Sequence, residues 1–196
     1  MDKSLVAIEA LLKGPNGSKV QEKLEEIISQ NKFDLKAVWL TVNLGTYKNS
    51  QRILGALQAL GHKVYELAEK MLSLPKFPIE SEEAERDLVE LSVGDDLGFK
   101  EEAKANWDMI CKKVVSLGYK LCPPEVGPML LIQHGKQINK IRWVAMKPIK
   151  IGGYSHVLYV GLSGAVRWLD TSDYVDSGDV WDSSRVVVAV RPRKVS

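Results

Sequence analysis

The chain predicts an α+β fold: a largely antiparallel C-terminal sheet covered by helices, with an N-terminal helical hairpin. Three observations predict it. Apolar residues recur at three-to-four spacing in several windows before Gly118, the period of an amphipathic helix. From Lys140 onward the pattern changes to alternation among β-branched and aromatic residues, the period of a strand. Between the two lies a proline-rich junction, Gly118 to His134, which no single regular element can cross. At 196 residues, 45% hydrophobic and 27% charged, the chain can bury a core without disulfides or metal. Its 27 basic and 25 acidic side chains give a net charge of +2, too little for a strong field drawing nucleic acid.

Taken in order, Leu5, Ile8, Leu11 and Leu12 predict a first short helix, and Gly14-Pro15-Asn16-Gly17 ends it. Ser18 can cap a second helix with Val20, Leu24, Ile27 and Ile28 on one face. Residues 1–33 therefore read as a hairpin appended to an α+β domain over residues 34–196. Its apolar stripes need burial on the main body or on a partner protein. Ala37 to Leu44 is the first strand, and Gly45-Thr46-Tyr47-Lys48 turns it. A helix from Asn49 or Ser50 carries Ile53, Leu54, Leu57 and Leu60 and closes at Gly61. A second helix carries Val64, Leu67, Ala68, Met71 and Leu72 until Pro75 and Pro78 stop it. The pair invites a helix-turn-helix reading. The would-be reading helix, however, exposes Glu66 and Glu69, and carboxylates facing phosphates have the wrong sign. A structural hairpin is preferred.

The acidic run Glu80 to Glu85 is expected as a solvated loop or helix edge, followed by a strand over Asp87 to Val93. Ala103, Trp107, Ile110, Cys111, Val114 and Leu117 form a continuous helical stripe, with Glu101 and Glu102 at its start and Gly118 as its cap. Within the junction, Pro128 can open a short helical or extended piece through Leu131. Strands are expected over Lys140 to Lys147, Ser155 to Gly161, Ala165 to Leu169 and Arg185 to Arg191. A hairpin loop is expected at Gly161-Leu162-Ser163-Gly164, and a loop over residues 170–184.

The block Leu121-Cys122-Pro123-Pro124-Glu125-Val126-Gly127-Pro128, together with Leu97-Gly98-Phe99, Ala145-Met146-Lys147-Pro148-Ile149 and Trp168-Leu169, resembles an uncharacterised bacterial protein family with a Leu-Cys-Pro-x-Glu-Val-Gly-Pro block. The resemblance covers roughly residues 37–192 and leaves residues 1–33 outside. It implies a shared fold and brings no activity. This chain departs from that pattern at Leu131, where the family tends to have Arg, and at Lys147, where it tends to have Glu. Both departures favour a structural role for the block.

The candidate chemistry is sparse. Cys122, Glu125 and His134 could supply a nucleophile, an acid and a base, but only if the fold brings them within hydrogen-bond reach. The competing reading is a buried thiol, a Pro-Pro turn and a carboxylate bonded to backbone N–H groups. His62, His134 and His156 lie far apart, and with Cys111 and Cys122 they show no zinc spacing. Asp170, Asp173, Asp176, Asp179 and Asp182 recur every three residues, unlike an EF-hand loop. A solvated loop is expected there, with Asp173, Asp176 and Asp179 the candidate cation ligands. Lys136, Lys140, Arg142, Lys147 and Lys150 make the most basic stretch, and Lys140 and Arg142 would share a strand face with Trp143 nearby.

The function expected is therefore that of a non-enzymatic binding protein with a macromolecular partner, a protein in preference to nucleic acid; a mobile-element or phage origin is compatible with it. Lys140, Arg142, Lys147 and Trp181 are the expected partner contacts. No cofactor is expected. The start lacks a signal peptide's apolar run, and no window is apolar enough to span a membrane, so a cytoplasmic setting is expected. Two alternatives stand beside it. One is a cytosolic enzyme with a pocket at Cys122, Glu125 and His134. The other is a nucleic-acid-binding module using the Lys140 and Arg142 face.

Overall fold

The structure, a computed structural model, describes residues 35–100, 105–172 and 181–193. The expected hairpin over residues 1–33 and the aspartates at 173, 176 and 179 lie outside the described residues. In chain order the elements are β1 (Leu40–Leu44), α1 (Ser50–Ala59), β2 (Lys63–Val64), α2 (Glu66–Leu72), β3 (Ala84–Ser92), α3 (Trp107–Ser116), α4 (Val126–His134), a 3-10 turn (Gly135–Gln137), β4 (Arg142–Val144), β5 (Ile149–Ile151), β6 (Tyr154–Ser163), β7 (Val166–Ser172) and β8 (Val186–Arg191).

The strands form one sheet in the order β1-β3-β8-β4-β6-β7-β2, and β5 pairs with β6 beside that path. Most neighbours are antiparallel, but β4 pairs with β8 and β2 pairs with β7 in parallel. The fold is thus α+β with a mixed, mostly antiparallel sheet. The sheet is also not confined to the C-terminal half. β1 and β3 occupy one end of it, and β2 closes the other.

Several elements differ from expectation for identifiable reasons. Val64 belongs to β2 rather than to a helix, because Lys63 and Val64 pair with Trp168 and Leu169 of β7. α3 begins only at Trp107, capped by the Asn106 side chain, which accepts from the Met109 N–H; Ala105 instead bridges to Trp181. The acidic run ends inside β3, where Glu85 pairs with Asn43. The expected loop at Gly161 is strand. Gly161 faces Trp168 across β6 and β7, and a Cβ there would lie 2.2 Å from the indole. Glycine is required here so that the ring can lie against the backbone, and the turn moves on to Gly164.

α4 is apolar on every side: Val126, Gly127, Pro128, Met129, Leu130 and Leu131 are all buried. A helix of that kind belongs inside a structure rather than on it. It packs on β1, β6 and β7, and α1 packs on it in turn. Its last turn is polar, and those side chains meet the outer edge of β1. The Gln133 amide accepts from Asn43 N–H at 2.9 Å and donates to Asn43 C=O at 2.8 Å, and His134 Nε2 lies 2.7 Å from Thr41 C=O. A free strand edge is a template for unwanted pairing, and these side chains occupy it.

Candidate functional site

The junction places its three polar groups on three different pieces of backbone. Cys122 is buried, and its Sγ donates to Val188 C=O at 3.3 Å. Glu125 is 0% exposed; its Oε1 accepts from Gly45 N–H at 2.8 Å and its Oε2 from Glu80 N–H at 2.9 Å. His134 is half-buried against Thr41 C=O. None of the three bonds to another, and none lines the clefts described below.

The electrostatics follow the same arrangement. Burial pushes the Cys122 thiol well above its ordinary value, and its electrostatic coupling to the Cys111 thiol adds to that. Burial likewise raises the Cys111 thiol to about 12, with the Asp108 carboxylate contributing. A nucleophilic cysteine needs the opposite, a stabilised thiolate. Glu125 is also raised. Desolvation is the largest cause, and the bonds from Glu80 and Gly45 only partly oppose it. A colorimetric thiol reagent near pH 8 should therefore label the native protein slowly at Cys111 and leave Cys122 unmodified until denaturant is added. Rapid labelling of Cys122 in the native state would contradict the buried, protonated thiol.

The expected partner contacts are distributed unevenly. Lys140 and Lys147 are exposed. Arg142 is 3% exposed, with its Nε ion-paired to Glu90 Oε1 and its guanidinium 5.5 Å from the Trp39 ring. The expectation of a shared basic strand face is corrected accordingly. A buried guanidinium already held by a carboxylate and an aromatic ring is not available to phosphate. Trp181, expected as a contact, is 2% exposed. It lies 4.6 Å from both Trp107 and Trp143, and the Arg185 guanidinium is 4.8 Å from its ring. It is core because α3 and β4 bring two other indoles against it.

Trp181 belongs to an unbroken series of rings. Trp143 stacks on Tyr159 at 4.2 Å, Tyr159 meets Trp168 edge-on at 5.2 Å, and Trp168 meets Tyr65 edge-on at 6.1 Å. The series runs from buried Trp107 to Tyr65, which is exposed and carries the Lys63 ammonium 4.1 Å from its ring.

The clefts among the described residues include three of a size for ligands. The first, of about 600 Å³, lies along α3 and is walled by Trp107, Cys111, Val115, Leu121 and Pro148, with Lys147 on its lining. The second, of about 440 Å³, contains charges that largely pair with one another: Arg86 with Glu80 at 3.2 Å, and Arg193 with Glu85 and Asp87, each at 2.9 Å. The third, of about 690 Å³, lies at the end of α4. There, His62 Nε2 lies 3.0 Å from Leu131 C=O and Arg167 Nη2 donates to Lys136 C=O at 3.3 Å, so both side chains serve the carbonyls of a helix end. The α3 cleft was not anticipated. Its signal was available in Val115, an exposed apolar residue outside the buried stripe of α3.

Among the described residues, no group of three or more His, Cys, Asp or Glu side chains could hold a metal ion, and no helix is long and apolar enough to cross a membrane. Comparison of the chain with protein-family models, with curated proteins and with solved structures finds no match.

Proposed function

We propose that the protein acts by binding, without chemistry of its own, and that its partner is a protein. The observation that carries this reading is the way the junction uses its reactive groups. The thiol, carboxylate and imidazole that an enzyme would converge on a substrate are each bonded to a different backbone segment. Nucleic acid is the weaker alternative because Arg142, the centre of the basic stretch, is buried against Glu90. Two free thiols suit the cytoplasm.

The β2–β7 border is the contact surface we favour. β2 ends the sheet with only two residues, and Leu60, Tyr65 and Leu67 flank it in sequence, all exposed. β7, whose Trp168 pairs with Lys63, adds exposed Val166 to the same border. Tyrosine and leucine beside an incompletely covered edge suit a protein surface that buries aromatic anchors. The test is affinity capture from host extract with the full chain and with the Leu67→Glu, Val166→Glu double variant. Both positions face solvent, so the variant should fold with an unchanged melting temperature. We expect the parent to retain a discrete protein and the variant to retain about tenfold less of it. Equal retention by the variant, or no discrete partner, would reject this surface. Catalytic turnover dependent on Cys122 would reject the non-enzymatic reading.

A further inference from the structure

We infer that the cleft along α3 is a binding site for a small amphipathic carboxylate, a molecule with an apolar body and one anionic head, such as a medium-chain fatty acid. This inference is independent of the protein contact at the β2–β7 border. Its first support is size and lining. About 600 Å³ lies within the ~300–1,000 Å³ typical of small-molecule sites, which are mostly apolar with a few placed polar groups. Val115, Leu121, Pro148, Cys111 and Trp107 supply the apolar wall.

The second support is that the wall is fixed in place. Trp107 Nε1 donates to Met146 C=O at 3.1 Å, and Cys111 Sγ lies 3.9 Å from the same oxygen. One carbonyl thus orients two wall residues, and the indole cannot swing into the cavity without losing a buried bond. A preformed site requires little ordering when a ligand enters.

The third support is charge. Asp108 and Lys112 line the cleft but neutralise each other at 2.6 Å, as an i, i+4 pair on α3. Lys147 is the remaining charged group on the lining. It is exposed and has no carboxylate partner among the described residues. An apolar body in the cleft would leave its head beside one uncompensated ammonium, and that selects a monoanion over a neutral or cationic head. Val115, 54% exposed, lines the cleft and offers an apolar side chain to any ligand that enters.

The test is calorimetric titration of the full chain with decanoate, decanol and decyltrimethylammonium, each below its critical micelle concentration. Two exposed positions are varied: Lys147→Glu reverses the head-group charge, and Val115→Trp fills the cleft. We expect saturable one-to-one binding of decanoate, weakened about tenfold by Lys147→Glu and abolished by Val115→Trp. Decanol should bind more weakly than decanoate, and the ammonium amphiphile weakest of all. No saturable heat with decanoate would overturn the site. Binding unchanged in Val115→Trp would place it elsewhere and also overturn it. Equal affinity for the cationic amphiphile, or indifference to Lys147→Glu, would overturn the assigned ligand class.

Discussion

Glu125→Ala should destabilise the protein by about 2–4 kcal/mol, because it leaves two part-buried backbone donors without their acceptor. The carboxylate accepts from Gly45, just after β1, and from Glu80, ahead of β3. It therefore ties two connecting segments to the start of α4. Gly45 has φ 73°, and a Cβ there would lie 2.3 Å from Glu82 C=O, so only glycine fits at this end of the brace. Against a typical total stability of ~5–15 kcal/mol, the loss is large. Glu125→Gln should fall between parent and alanine variant, since its carboxamide oxygen can serve one N–H while its NH₂ opposes the other. Urea denaturation followed by far-UV circular dichroism orders the three. Equal midpoints for parent and Glu125→Ala would show that the two donors find other acceptors, and would remove the brace.

The same group gives a pH dependence of definite sign. Burial raises the folded-state pKa of Glu125, so the folded protein holds its proton more tightly than the unfolded chain does. Its contribution is fully present below the ordinary glutamate pKa of about 4.3 and is lost as pH rises through the folded value. Between those two values the parent should lose stability relative to Glu125→Gln as the pH is raised. The opposite slope would mean that the two N–H bonds outweigh desolvation.

The contrast between what the chain reveals by pattern and what it hides is one of sequence distance. α4 was legible only as a short piece opened by Pro128, helical or extended, because an unbroken apolar run has no period to decide between the two, whereas β6 could be anticipated because its alternation is local. β2 could not: two residues carry no period, and its strand identity comes wholly from Trp168 and Leu169, about a hundred residues later. The parallel pairing of β4 with β8 is equally nonlocal. Gly161 read as a turn because glycine usually marks one, whereas its place was decided by an indole on the neighbouring strand. At the candidate site the limit was the same. Arg142 lies among lysines in sequence, which suggested a solvated face, but its partner Glu90 is 52 residues away. The two donors to Glu125 lie 45 and 80 residues from it, so the carboxylate could be assigned a backbone role in general terms without either partner being named.

Trp181→Ala should cost about 3–5 kcal/mol, an effect comparable with that of Glu125→Ala but arising from volume rather than hydrogen bonding. The indole fills the space between Trp107 and Trp143, at 4.6 Å from each, and its removal leaves both rings facing a void. Arg185 would lose one of the two rings it lies over, retaining Trp143 at 5.2 Å. For a chain of this length the melting temperature should fall by roughly 10 °C, and the near-UV circular dichroism of the ring series should collapse with it. Trp181→Phe separates packing from polarity. Trp181 Nε1 is buried without a hydrogen-bond partner among the described residues, so phenylalanine removes an unsatisfied donor while retaining an aromatic ring. Trp107→Phe is the opposite case, because its Nε1 donates to Met146 C=O and the change leaves that carbonyl short of a donor. Trp181→Phe should therefore be the milder of the two phenylalanine variants although both residues are almost fully buried. If Trp181→Ala left the melting temperature unchanged, Trp181 could not be a core residue, and its role as a surface contact would have to be reconsidered.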